Sequence, residues 1–156
     1  MYQKVLVPLD GSKLAECVLP HVEAIAQGCQ AKEVVFVRVA EPLQVLVTGA
    51  DFQLSAEEWN RLEAEQKADA DNYIKQVVNS LKYNAVVVQG EVLTGGRAAD
   101  MIADYAQKNG CDLIVIATHG RSGVGRWMWG SVADRILRSV CVPILMVRAP
   151  GCAVGI

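Results

Sequence analysis

Residues 112–131 read DLIVIATHGRSGVGRWMWGS. The first six form an apolar run without polar alternation, as expected of a strand buried on both faces of a parallel sheet. From Thr118 to Ser131 the chain then places four glycines, two arginines and two serines. Glycine at such a junction marks backbone that needs φ > 0, or an approach too close for a side chain. The loop is therefore a tight turn or a ligand site. Val132, Ile136, Leu137 and Val140 follow at helical spacing, so the stretch reads as strand, glycine loop and helix start.

The same unit recurs on the N-terminal side. KVLVPL (4–9) is a first strand ended by Asp10, Gly11 and Ser12. Leu14, Cys17, Val18, His21, Val22 and Ile25 predict a helix from about residue 13 to 27 that Ser12 caps. EVVFVRVA (33–40) is a second strand, and SAEE (55–58) is a capping box opening a long polar helix with Tyr73, Val77 and Leu81 on one stripe. AVVVQG (85–90) is a third strand, Ala98, Met101, Ile102, Tyr105 and Ala106 mark a third helix, and PILMVR (143–148) is a fifth strand. Strands alternating with helices imply parallel pairing through right-handed crossovers. The expected fold is α/β, a doubly wound three-layer α/β/α sandwich on a five-stranded parallel sheet. Ligands in such sheets sit beyond the carboxyl ends of the strands where the winding reverses. That points to the loops after strands one and four. The last strand is expected at a sheet edge, where its apolar run, Ile144 to Val147, would pair with a second copy about a two-fold axis to make a homodimer.

The 156 residues suit one domain over 1–150 with a C-terminal tail at 151–156, ordered apart from a loop near 42–54 and the tail. Hydrophobic residues make up 52% and charged residues 21%, a globular composition. A net charge of -2 with no Lys/Arg cluster speaks against nucleic acid as a partner. No apolar stretch reaches the ~18 residues needed to span a bilayer, and no signal-like leader opens the chain, so a cytoplasmic protein without a membrane partner is expected. The five cysteines are scattered without CxxC spacing and read as reduced thiols, mostly core fillers.

The glycine loop offers Gly120, Gly123 and Gly125, then a helix start at Gly130-Ser131-Val132. A helix N-terminus carries unpaired N–H groups and roughly half a positive charge, which attract phosphate. Ser131 is placed to cap that helix and to donate to a phosphate oxygen. Arg121 and Arg126 are phosphate partners or solvent-facing side chains. No Walker A or GxGxxG pattern occurs. Asp10 reads equally as a turn residue or a ligand contact. His21 reads as a packed or rim residue, His119 has no second base or acid beside it, Trp127 and Trp129 read as core cover, and Glu57, Glu58, Glu63 and Glu65 as a solvated face. No metal-ligand set stands out, and no catalytic residue is assigned.

Gly120, nine residues, then Gly130-Ser131, together with KVLVPLDGS at the first strand and VVFVRV at the second, resembles the universal stress protein family, in particular its ATP-binding branch. That family shares the adenine nucleotide alpha hydrolase-like fold. The resemblance implies that Pro8, Asp10 and Val39 border adenine and ribose. It implies that Ala117, Thr118, His119, Gly120, Arg121, Ser122, Gly123, Gly130, Ser131, Val132 and Ala133 line the ribose and phosphates. It implies ATP as ligand with Mg²⁺ as counter-ion, a homodimer, unidentified protein partners and a stress-response role exerted through nucleotide occupancy. Ala117 stands where the family motif has its first glycine, which bears on nucleotide affinity. Two alternatives accompany this expectation. One is a slow Mg-dependent ATPase, with Arg121 and Arg126 at the γ-phosphate. The other is a nucleotide-free member working only through protein contacts.

Overall fold

A computed structural model describes residues 1–42, 55–118 and 131–148. These form β1 (Lys4–Pro8), a 3₁₀ turn (Ala15–Val18), α1 (Leu19–Gly28), β2 (Glu33–Ala40), α2 (Ala56–Ser80), β3 (Val87–Thr94), α3 (Ala98–Lys108), β4 (Leu113–Thr118), α4 (Ser131–Ser139) and β5 (Ile144–Arg148). The five strands make one parallel sheet in the order β3-β2-β1-β4-β5. The winding reverses between β1 and β4, and β5 is an edge, as the sequence pattern predicts.

Alternation along the buried strands sorts the core into two layers. Val5, Val7, Val34, Phe36 and Val115 pack with Val18, Val22 and Ile74 on one face of the sheet. Leu6, Val35, Val37, Ile114 and Ile116 pack with Ile102, Ala106 and Ile136 on the other. Strands with both faces covered need no polar alternation, which is why they are legible as apolar runs.

Three expectations are corrected. The first helix is not continuous from residue 13. A 3₁₀ turn precedes α1, because Pro20 has no N–H for the Glu16 carbonyl and so belongs in the first turn of a helix, where it now stands. Ser12 still contributes, its Oγ accepting from Ala15 N–H at 3.1 Å. The third strand begins at Val87, not Ala85, whose φ of 59° is left-handed, and it runs on to Thr94 in register with Ala40. Gly90 lets α2 lie close on this strand, since a Cβ there would collide with the Ile74 side chain. The cysteines are less buried than expected. Of the four described, none in a disulfide, only Cys111 is buried; Cys141 is exposed, and Cys152 lies outside the described residues.

Candidate functional site

A cleft of about 470 Å³ lies at the carboxyl ends of the strands, across the point where the winding reverses. Its walls include Pro8, Leu9 and Asp10 after β1, Arg38, Val39 and Glu41 at the end of β2, Gln66 of α2, Ala98 of α3, Ala117 of β4, and Ser131, Val132 and Ala133 of α4. Volumes of this order suit small molecules of nucleotide size.

The β1 side is built by a tight turn. The ladder to β2 closes with Leu9 N–H donating to the Val37 carbonyl at 2.8 Å. Backbone polar groups alternate sides along a strand, so the N–H and C=O of Val39, two residues on, point the same way but beyond the end of β1. Asp10 then accepts from Ser12 N–H at 2.8 Å, an Asx turn. Gly11 between them has φ +90°, a conformation that side chains rarely adopt. It also gives room to the Arg38 guanidinium, which lies 5.2 Å from the Tyr73 ring centroid. The Tyr73 hydroxyl donates to Glu16 at 3.3 Å. Burial first, and then the Glu16 carboxylate, push this phenol well above its ordinary range, so it stays a neutral donor at physiological pH.

Two helix N-termini border the cleft, and they differ. At α3 the Glu41 carboxylate accepts from Ala98 N–H at 2.6 Å, so the chain itself supplies the anion that the helix dipole favours. At α4 the first three residues line the cleft with their N–H groups at the positive pole. The two helices are tied by Asp100, which accepts from Arg97 Nε at 3.2 Å and from Arg135 Nε at 2.9 Å.

Of the residues expected at the site, Pro8, Asp10, Val39, Ala117, Ser131, Val132 and Ala133 line the cleft. Thr118 is buried at the end of β4 and is not one of its lining residues. His119, Gly120, Arg121, Ser122, Gly123 and Gly130 lie outside the described residues, as do Arg126, Trp127 and Trp129. Ser131 is the first described residue of α4. Ala117 sits within β4 without positive φ, so alanine fits this backbone. His21 is exposed on the rim of α1. Among the described residues no group of three His, Cys, Asp or Glu could hold a metal ion, and no helix is long and apolar enough to cross a membrane.

Sequence reasoning missed Arg38, Glu41 and Gln66. For Arg38 and Gln66 the signals were present but faint. Arg38 is the one charge inside the otherwise apolar VVFVRVA, and Gln66 is a half-buried polar residue on the stripe that continues to the buried Ala70.

Comparison with known proteins agrees with this architecture. The profile of the universal stress protein family matches residues 1–148. Universal stress protein MJ0531 of Methanocaldococcus jannaschii is 28% identical over 150 residues, covering 96% of this chain and 84% of its own. Universal stress protein MJ0577 of the same organism is 27% identical over 157 residues, covering 95% and 96%. The solved structure of MJ0577 superposes with a TM-score of 0.77 over 97% of this chain and 99% of that one. The fold is also shared with an Arabidopsis thaliana family member solved with AMP bound (TM-score 0.62, 16% identity, 96% and 93% covered). It is shared too with an Archaeoglobus fulgidus member in complex with dAMP (TM-score 0.52, 22% identity, 93% and 97% covered).

Proposed function

Because the chain belongs to the universal stress protein family, we propose that its cleft binds an adenine nucleotide, ATP with Mg²⁺ as counter-ion, and that occupancy regulates which protein partners it engages under stress. One observation carries this reading: of the two helix N-termini at the cleft, α3 is already occupied by Glu41, which leaves the α4 pole, with Ser131, for phosphate. The loop from His119 to Gly123, with Gly130, supplies the remaining phosphate contacts in this proposal.

The base belongs at the opposite side, against Val39. Adenine carries an N6 amino donor beside a ring-nitrogen acceptor, complementary to a backbone C=O and N–H on one strand residue. Guanine carries the acceptor O6 in place of that donor. A preference for ATP over GTP follows. Mg²⁺ enters on the phosphates and keeps much of its water, as it ordinarily does; of the two exposed carboxylates of the wall, Glu41 is bonded to the α3 terminus and Asp10 lies after β1. AMP and dAMP complexes of proteins with this fold are in keeping with an adenine ligand.

The protein works, on this proposal, as one cytoplasmic domain over 1–150 with a tail at 151–156, paired into a homodimer through β5. Calorimetric titration with ATP-Mg²⁺ and with GTP-Mg²⁺ tests the central claim, alongside melting temperature, which a ligand of the native state must raise. Absence of both heat and thermal shift with saturating ATP would overturn it and leave the nucleotide-free alternative.

A further inference from the structure

Arg38 is the cation of the cleft that the phosphate reading does not use. Its guanidinium is held by packing: the Tyr73 ring lies beside it at 5.2 Å, and a Cβ on Gly11 would stand 3.0 Å from Cζ and 3.1 Å from each Nη. Near-equal distances to three atoms put Gly11 over a face of the planar group, not at its rim. What remains for a ligand is the edge, where five N–H donors point outward in a fixed fork. Arg61, Arg97, Arg135 and Arg138 each pair with a carboxylate. Among the described residues Arg38 forms neither an ion pair nor a side-chain hydrogen bond, although it lines the cleft and is half-buried.

The surrounding charges decide what such an edge can hold. Asp10 and Glu16 both act on Tyr73 together with Arg38, and Lys13 pairs with Glu16 at 2.9 Å. Two acids balance two bases, so this end of the cleft suits a neutral polar group, whereas the α4 pole suits phosphate. A hydroxyl both donates and accepts.

We infer that Arg38 reads the ribose cis-diol, its guanidinium edge donating to the hydroxyl oxygens, which makes the cleft selective for ribonucleotides over deoxynucleotides. This rests on the adenine-nucleotide reading and goes beyond it, because it assigns a sugar preference to a residue outside the glycine loop. Arg38 is rigid before the ligand arrives, so little ordering entropy opposes the contact.

The test is competition binding of ATP, 2′-deoxy-ATP and 3′-deoxy-ATP to the wild-type protein, Arg38→Ala and Arg38→Lys. Wild type should bind ATP about ten- to a hundredfold more tightly than at least one deoxy analogue, the range of one charged hydrogen bond. Arg38→Ala should bring ATP down to the level of that analogue while leaving the analogue's own affinity within about twofold. Arg38→Lys, which keeps the charge but loses the planar fork, should recover only part of the difference. Equal binding of all three by wild type overturns the inference without any variant. An equal loss of ATP and both analogues in Arg38→Ala overturns it too, because that is a merely structural effect. Wild type that binds no adenine nucleotide at all refutes instead the function on which the inference stands.

Discussion

Glu41 Oε1, at the end of β2, lies 2.6 Å from the backbone nitrogen of Ala98, the first residue of α3. The two residues are 57 positions apart in sequence, and their bond closes one end of the cleft. Arg97 at the capping position makes no side-chain cap, so Glu41 stands in for one. Glu41→Ala should therefore cost about 1–2 kcal/mol, as loss of a helix cap does, and lower Tm by about 2–8 °C. Differential scanning calorimetry checks this; an unchanged Tm means that solvent serves the α3 terminus equally well.

Gly90 and Ile74 should be coupled. A methyl on Gly90 meets the Ile74 side chain, so Gly90→Ala is expected to destabilise by about 1–3 kcal/mol in urea unfolding. Ile74 is 2% exposed, and Ile74→Ala alone should cost about 2–5 kcal/mol through the cavity it leaves. In the double variant the new methyl enters that cavity. Its loss of stability should fall below the sum of the two by at least about 0.5 kcal/mol. Strict additivity would show that α2 moves off β3 instead.

Ser131→Asp separates phosphate binding from folding. A carboxylate in the first turn of α4 suits the helix dipole, so Tm should stay level or rise slightly. The same charge at the phosphate pole should lower ATP affinity at least about tenfold, more than Ser131→Ala, which removes one hydrogen bond to a charged group at about 1.5–3 kcal/mol. ATP bound by Ser131→Asp at wild-type affinity would place the phosphates elsewhere.

Alkaline pH should unfold the protein through its buried acids. Burial, and then Glu23, push the Tyr83 phenol from 10.0 up to about 12. Burial pushes the Cys111 thiol from 9.0 up to about 11. Tyr105 is raised in the same direction, by burial first and then by its hydrogen bond to Glu91 at 2.7 Å. Folded-state values above unfolded ones mean that the stabilisation is complete below the unfolded values and is lost as pH rises through the folded ones. Urea midpoints should thus hold to about pH 9 and fall steadily toward about pH 12. A flat midpoint across that range would show these groups to be solvated.

The proposed dimer has its own variant. Leu145 is 37% exposed on the edge strand β5, so lysine there should leave the fold intact while placing charge on the pairing surface. Light scattering should give a dimer for the wild type and a monomer near 16.9 kDa for Leu145→Lys. A wild-type monomer at all concentrations would remove the interface.

Much of this molecule is written locally. The apolar runs of β1, β2 and β4, the helical stripes of α3 and α4, and SAEE at 55–58 are signals a few residues long. The last is realised as Ser55 N–H donating to Glu58 at 2.9 Å and Glu58 N–H to Ser55 at 3.2 Å. Alternation of such elements dictates parallel pairing, and parallel pairing dictates where the winding reverses. That is why the loops after strands one and four could be named as the site before any coordinates, whereas Pro8, Asp10, Val39 and Ala117 were singled out by the resemblance to the family.

What the tertiary structure alone decided depends on contacts between residues distant in sequence. The register of β3 comes from its pairing with β2, Glu33 with Val87 through Ala40 with Thr94, which overrode the apolar AVVVQG by extending the strand through Glu91. Arg38 reads in sequence as an anomaly within a strand; only the approach of Gly11 and Tyr73 shows it to be held at the cleft. Glu41 has no local signal at all, since its partner Ala98 lies 57 positions away, in α3. Period and punctuation are properties of neighbouring residues, so the sequence carries them openly. Which charge meets which helix end is a property of the closed sheet, and it becomes definite only when the strands have paired.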